Sequence, residues 1–147
     1  MQKIYYSLGL HNLCKTISSR HLFEYDLNDI LSKLVYTRIL YPSSKLAANR
    51  QAASFLEKPS FELHDIYRAL SVLAKESDFI QAELYKNSQN VIERRKDILY
   101  YDCTNYFFEL EEADELRRYG KSKHHQPLPL VGMGLFMDYD GIPLAFD

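Results

Sequence analysis

Residues 97–108 read Asp97-Ile98-Leu99-Tyr100-Tyr101-Asp102-Cys103-Thr104-Asn105-Tyr106-Phe107-Phe108. The run is rich in aromatic and apolar side chains, too short for another long helix, and predicts a strand buried on both faces for much of its length. Downstream, Pro129 to Met137 and Ile142 to Phe146 form two more apolar runs around Asp138-Tyr139-Asp140-Gly141. An Asp-Gly between such runs signals a hairpin. A polar connection from Glu109 to about Pro127 joins the first run to the second. The second part of the chain therefore reads as three antiparallel strands.

Upstream of Lys96 the apolar period is that of helices. Leu27, Ile30, Leu31, Leu34, Val35 and Ile39 recur at helical spacing behind Asp26, a candidate N-cap, with Asp29 in the first turn. Tyr41-Pro42 stops that helix, and Ser43 or Ser44 caps a second one through residues 46–57. Lys58-Pro59 ends the second. Ser60 is then placed to cap a helix facing inward through Leu63, Ile66, Tyr67, Leu70, Leu73 and Ala74, and Ser77 one running through Ile92. The expected class is α+β, with a helical region over 1–96 and the strands over 97–147. A three-stranded meander whose first strand is the most apolar needs cover on that strand's open side. Either the helices supply it or the chain is a piece of a larger protein.

The chain has 147 residues, 46% of them hydrophobic and 26% charged, with five Gly and five Pro. Disordered, collagen-like and linker classes are excluded by that composition. No membrane span or signal peptide is supported, because Lys3, His11 and Asn12 break the N-terminus before an apolar run forms. Cys14 and Cys103 lie in unrelated contexts, so reduced thiols in a cytoplasmic protein are expected. The net charge of -2 conceals an asymmetry: residues 1–99 carry 14 Lys/Arg against 11 Asp/Glu, and residues 100–147 carry 4 against 9. Any DNA contact has to come from a local patch rather than from overall charge.

Asp102 is the sharpest chemical feature. A carboxylate inside an apolar strand costs several kcal/mol to bury unless it is paired, protonated or bound to a cation. One answer is a divalent metal, since Mg²⁺ is held by one or two carboxylates together with substrate phosphates. The other is a strand-end aspartate that is solvated or bonded to Thr104 or an arginine. Arg117, Arg118, Lys121 and Lys123, with Tyr119, Gly120 and Ser122 among them, form a cationic segment suited to gripping phosphate, or equally to balancing the acids from Glu109 to Glu115. His11, Cys14, His21 and the His124-His125 pair lack the spacing of a zinc site. Nucleophilic catalysis by Cys103 lacks a named partner residue, and Cys103 reads as core. Asp138 and Asp140 read as turn formers, and Gly132 and Gly134 as packing positions within a strand.

Taken together, Tyr101-Asp102-Cys103-Thr104-Asn105-Tyr106-Phe107-Phe108-Glu109, then 116–123, 129–135 and 138–144, resemble the opening of the catalytic domain of bacterial insertion-sequence DDE transposases of the IS-four-like group. Residues 38–46, Arg38-Ile39-Leu40-Tyr41-Pro42-Ser43-Ser44-Lys45-Leu46, resemble the helical region that precedes it. The resemblance implies a ribonuclease H-like fold, here as its first three antiparallel strands, with Asp102 as the first catalytic and metal-binding acid. It implies two Mg²⁺ or Mn²⁺ ions that activate water or a DNA 3′-hydroxyl and stabilise the leaving oxygen.

In that family the second Asp and the Glu would fall beyond Asp147. The expectation is therefore a truncated transposase, inactive in DNA cleavage and strand transfer, that binds no metal tightly by itself. DNA at transposon ends is the expected partner, through Arg117, Arg118, Lys121, Ser122 and Lys123, with self-association or a full-length transposase as a further one and no membrane. The alternative is a non-enzymatic DNA-binding or oligomerising module that modulates full-length transposase. A third reading is an unrelated α+β interaction domain.

Overall fold

The computed structural model describes residues 1–107 and 129–147. Among these are six helices and one three-stranded antiparallel sheet, an α+β composition. The chain divides into two compact units, Met1–Ile92 and Glu93–Asp147. Arg94 and Arg95 thereby belong with the strands, a few residues ahead of where the change of period places the division.

The first unit holds α1 (Gln2–Ser7), α2 (Leu10–Arg20), α3 (Leu27–Leu40), α4 (Lys45–Ala52), α5 (Leu63–Lys75) and α6 (Ser77–Ser88). Neither α1 nor α2 is expected from the sequence pattern, because Asn12, Lys15 and the Ser18-Ser19 pair mask the short apolar stripe of Leu10, Leu13, Cys14 and Ile17 that α2 buries. Leu13, Cys14, Ile17, Leu27, Ile30, Ile66 and Ala69 form the core. Burying side chains of this size removes the apolar area from water that holds such a unit together.

The caps show how local chemistry fixes the helix ends. Asp26 accepts the backbone N–H groups of Asn28 at 2.8 Å and Asp29 at 3.0 Å, as its position before the apolar period implies. Ser44 caps α4 by accepting the Ala47 N–H at 3.3 Å. Helix α5 begins later than Ser60: Asp65 reaches back to the Glu62 N–H at 3.0 Å, the reciprocal device of a capping box. Ser60 instead donates its N–H and its hydroxyl, each at 2.8 Å, to the Asp29 carboxylate of α3. The fourth expected helix is α6, which ends at Ser88 rather than Ile92.

The inward face of α3 also departs from the expectation. Leu27 and Ile30 are buried, but Lys33 and Thr37 complete the stripe, and Ile39 is exposed. Apolar residues lie nearly all round α3, so its period selects no single face and packing decides. The Lys33 ammonium is satisfied at 3.1 Å by Asp29, and the Thr37 hydroxyl donates to the Lys33 carbonyl at 2.8 Å. Tyr41 N–H donates to the Thr37 carbonyl at 2.8 Å, and Pro42 prevents a further turn.

The second unit contains β1 (Tyr100–Phe107), β2 (Leu130–Met137) and β3 (Pro143–Phe146), in spatial order β1-β2-β3. The β1–β2 register runs unbroken from Tyr100 opposite Met137 to Phe107 opposite Leu130. The β2–β3 ladder carries an irregularity at Phe136/Met137. The three antiparallel strands are as expected. The burial of β1 is not: Tyr100, Tyr101, Asp102, Cys103, Thr104 and Tyr106 are exposed. Among its described residues the second unit has no helix to lay over this strand, so hydrophobic composition here does not translate into burial.

Candidate metal and nucleic-acid site

Asp102 is the third residue of β1, its Cα opposite that of Leu135. Strand alternation places Tyr100, Asp102, Thr104 and Tyr106 on one face, beside Val131, Met133, Leu135 and Met137 of β2. A ladder thus presents one carboxylate on a face whose other residues are aromatic, apolar or, at Thr104, a neutral hydroxyl. The side chain is exposed and, among the described residues, makes no hydrogen bond or ion pair. The burial argument for a cation therefore does not apply: a hydrated carboxylate requires no partner. Among the described residues, neither Thr104 nor an arginine engages it.

The opposite face carries Tyr101, Cys103 and Asn105 beside Phe136, Gly134 and Gly132. The Tyr101 and Phe136 rings lie 4.7 Å apart. Tyr101 folds over Gly134 so closely that a Cβ there would meet its hydroxyl oxygen at 2.6 Å, which is the physical reason for a glycine in mid-strand. Cys103, read as core, is exposed.

Among the described residues, no group of three or more His, Cys, Asp or Glu side chains is placed to hold a metal ion. One carboxylate does not hold Mg²⁺ or Mn²⁺ tightly, since such ions need several oxygen ligands. Asp102 fits one ligand position and the described residues do not complete the set. Arg117, Arg118, Lys121, Ser122 and Lys123 lie outside the described residues. Of the residues weighed for zinc, His124 and His125 lie outside the described residues; Cys14 is buried against the Tyr5 hydroxyl at 4.0 Å, and His21 pairs with Glu76 at 2.8 Å. Burial pushes the Cys14 thiol up to about 11.

The cluster that sequence reasoning missed lies at the hairpin. Asp138 performs the expected turn chemistry, its Oδ1 accepting the N–H groups of Asp140 at 3.1 Å and Ile142 at 2.9 Å. Its other oxygen, Oδ2, receives Arg94 Nε at 2.6 Å, and both side chains are almost fully buried. Arg94 Nη2 also donates to the carbonyls of Ile142 at 3.1 Å and Pro143 at 2.8 Å. Burial raises the Asp138 carboxyl's affinity for a proton, but the backbone N–H of Ile142 and the guanidinium outweigh it and hold the group below the usual carboxylate range. Next to it, Arg95 pairs with Asp140 and lies 3.9 Å over the Tyr139 ring. Two adjacent arginines thus answer two aspartates spaced by one residue. The charges were visible in sequence, but their pairing depends on a hairpin register that local pattern does not specify.

No protein-family model, curated protein or solved structure matches this chain. Among the described residues, no helix is long and apolar enough to cross a membrane.

Proposed function

We propose that this chain is a DNA-handling portion of a DDE-type transposase, with its strands forming the opening of a ribonuclease H-like sheet and Asp102 as one of the metal-binding carboxylates. The single observation that carries the reading is the placement of Asp102: a lone acid displayed from the first strand of an antiparallel meander, in the order and spacing of motifs that resembles that family. In the two-metal reaction of that family, carboxylates hold Mg²⁺ or Mn²⁺ at the phosphate being cleaved. Among the described residues Asp102 is one such ligand, and a single carboxylate by itself would hold a divalent ion only weakly.

Paramagnetic line broadening tests this directly. With substoichiometric Mn²⁺ and a short duplex present, the amide signals of residues 101–103 and of residues 134–136 across the strand are expected to broaden first. Asp102→Asn should abolish that selectivity. Broadening centred elsewhere, or unchanged in the variant, refutes Asp102 as a metal ligand.

The second reading is a non-enzymatic DNA-binding or oligomerising module that modulates full-length transposase. It requires the chain to bind DNA or transposase whether or not Asp102 is intact.

A further inference from the structure

We propose that the cleft between residues 21–26 and helix α5 binds an extended peptide strand that carries one basic and one acidic side chain. The cleft lies wholly within the Met1–Ile92 unit, and the proposal does not depend on the reading of Asp102.

The cleft has a volume of about 830 Å³, the size of a ligand-binding site. One wall is the segment that joins α2 to α3; Phe61 and, from α5, Asp65, Arg68 and Val72 contribute to the other. The chain leaves α2 at His21 and enters α3 at Asp26 in extended conformation. Between them exposure alternates: His21, Phe23 and Tyr25 are half-buried, whereas Leu22 and Glu24 are exposed. The inward rings form a stack, with Phe23 and Tyr25 4.4 Å apart and nearly parallel and His21 6.5 Å from Phe23.

Side chains, not main-chain bonds, hold this segment in place. His21 is fixed by Glu76 at 2.8 Å, Phe23 and Tyr25 pack against the core, and Asp26 is the N-cap of α3. Among the described residues no backbone N–H or C=O group of residues 22–25 makes a hydrogen bond. An anchored segment with free donors and acceptors along a cleft is a template for a second strand, main chain to main chain. Because its shape is set before a ligand arrives, binding costs little ordering of the protein.

Two charges lining the cleft are unmatched. Glu62 and Asp65 are engaged with His64 at 3.3 Å and 3.1 Å, and Asp65 also accepts the Glu62 N–H. Glu24 on the segment and Arg68 on α5 make no hydrogen bond or ion pair among the described residues. Burial raises the Tyr25 hydroxyl's hold on its proton, Asp65 adds to that and Arg68 opposes it, so a protonated donor stands within electrostatic reach of Arg68. Arg68 with Tyr25 suits a carboxylate, and Glu24 suits an ammonium or guanidinium. A peptide strand supplies both charges on a backbone able to pair with residues 22–25.

Two capped pentapeptides of opposite charge order test this, acetyl-Val-Lys-Val-Asp-Val-amide and acetyl-Val-Asp-Val-Lys-Val-amide. Each is titrated into the full chain and followed by amide chemical shifts. The shifts should concentrate in residues 21–26 and 60–72. One charge order should bind at least about fourfold more tightly, since each exposed ion pair changes affinity by about two- to fivefold. Exchanging the charges, Glu24→Lys with Arg68→Glu, should invert the preference, and Lys75→Glu, at an exposed cation outside the cleft, should leave it unchanged. Methylating the peptide's amide nitrogens blocks strand pairing and should weaken binding about tenfold or more.

No shifts at millimolar peptide, or shifts centred outside the cleft, overturn the proposal. So do equal binding of the two charge orders and a preference that the exchanged variant, shown folded by circular dichroism, retains. Undiminished binding of the methylated peptide overturns the strand pairing. The mapping, the charge-order comparison and the methylated peptide all use the wild-type chain, so they decide the matter even if the exchanged variant does not fold. None of these readouts involves DNA or metal, so their failure leaves the reading of Asp102 untouched.

Discussion

Removing the Asp29 carboxylate should damage the helical unit far more than removing the lysine it pairs with. Asp29 accepts from Ser60 N–H and Ser60 hydroxyl at 2.8 Å each and from Lys33 Nζ at 3.1 Å, tying α3 to the segment that leads into α5. The side chains of Lys33 and Asp29 are 5% and 16% exposed. Asp29→Ala therefore strands a buried ammonium, leaving only Glu57 at 3.8 Å. Breaking a buried pair from one side costs about 3–5 kcal/mol. Partial access of Asp29 to water and the residual Glu57 contact put this case at the low end, about 3 kcal/mol. For a unit of this size that corresponds to a fall in Tm of about 12–24 °C.

Lys33→Met, in contrast, removes the charge together with its need for a partner and should remain within about 1 kcal/mol of wild type. Adding Lys33→Met to Asp29→Ala should recover part of the loss. Urea and thermal unfolding followed by far-ultraviolet circular dichroism measure all four chains. Equal damage from the two single substitutions, or an Asp29→Ala cost below about 0.5 kcal/mol, refutes the reasoning.

Acid provides an independent check. Burial acting alone would raise the Asp29 carboxyl's affinity for protons, but Ser60 and Lys33 outweigh it, so its folded value lies below the unfolded one. The stabilisation is then fully present above the unfolded value of about 4 and is lost as pH falls through the folded value. Asp29→Asn should flatten that part of the stability profile; a profile as steep as wild type would exclude Asp29 as its source.

Other substitutions probe the core, the turn and the thiols. Ile66→Ala, at a side chain 1% exposed, should cost about 2–5 kcal/mol in urea unfolding, and a cost under about 1 would displace Ile66 from the core. Gly141 has φ of 74°, and nothing lies within 4 Å of where a Cβ would stand. Gly141→Ala should therefore cost about 1–2 kcal/mol in urea unfolding from backbone strain alone, and Gly141→Asn less; an Ala variant as stable as wild type would contradict the left-handed turn. A thiol reagent should label the exposed Cys103 rapidly in the folded chain and reach Cys14 only on unfolding; equal rates would contradict the burial of Cys14.

Helix and strand types from Asp26 onward were legible because strong local signals coincide there: Asp26 before an apolar period, Pro42 after Tyr41, Asp140-Gly141 between two apolar runs. The first two helices were not, since in α2 polar residues interleave a narrow buried stripe. Burial was the less legible property. Ile39, residues 100–104 and Tyr106 are exposed despite their setting, whereas Lys33 is buried against Asp29 one turn earlier on α3, and Asp138 against Arg94, a partner brought to it by tertiary structure. The position of Asp102 on the first strand followed from pattern, but its exposure did not, because covering a strand depends on what packs over it.

The Arg94–Asp138 clamp sets a limit on how the protein is divided for biochemistry. The guanidinium that fastens the β2–β3 hairpin is contributed by residues preceding the first strand, so the strand unit is closed from its own N-terminal leader. A recombinant piece begun at Lys96, where the hydrophobic period changes, would discard both arginines and strip Asp138 of the Arg94 guanidinium that it is buried against. Expression boundaries drawn at or before Glu93 keep the latch with the door it fastens.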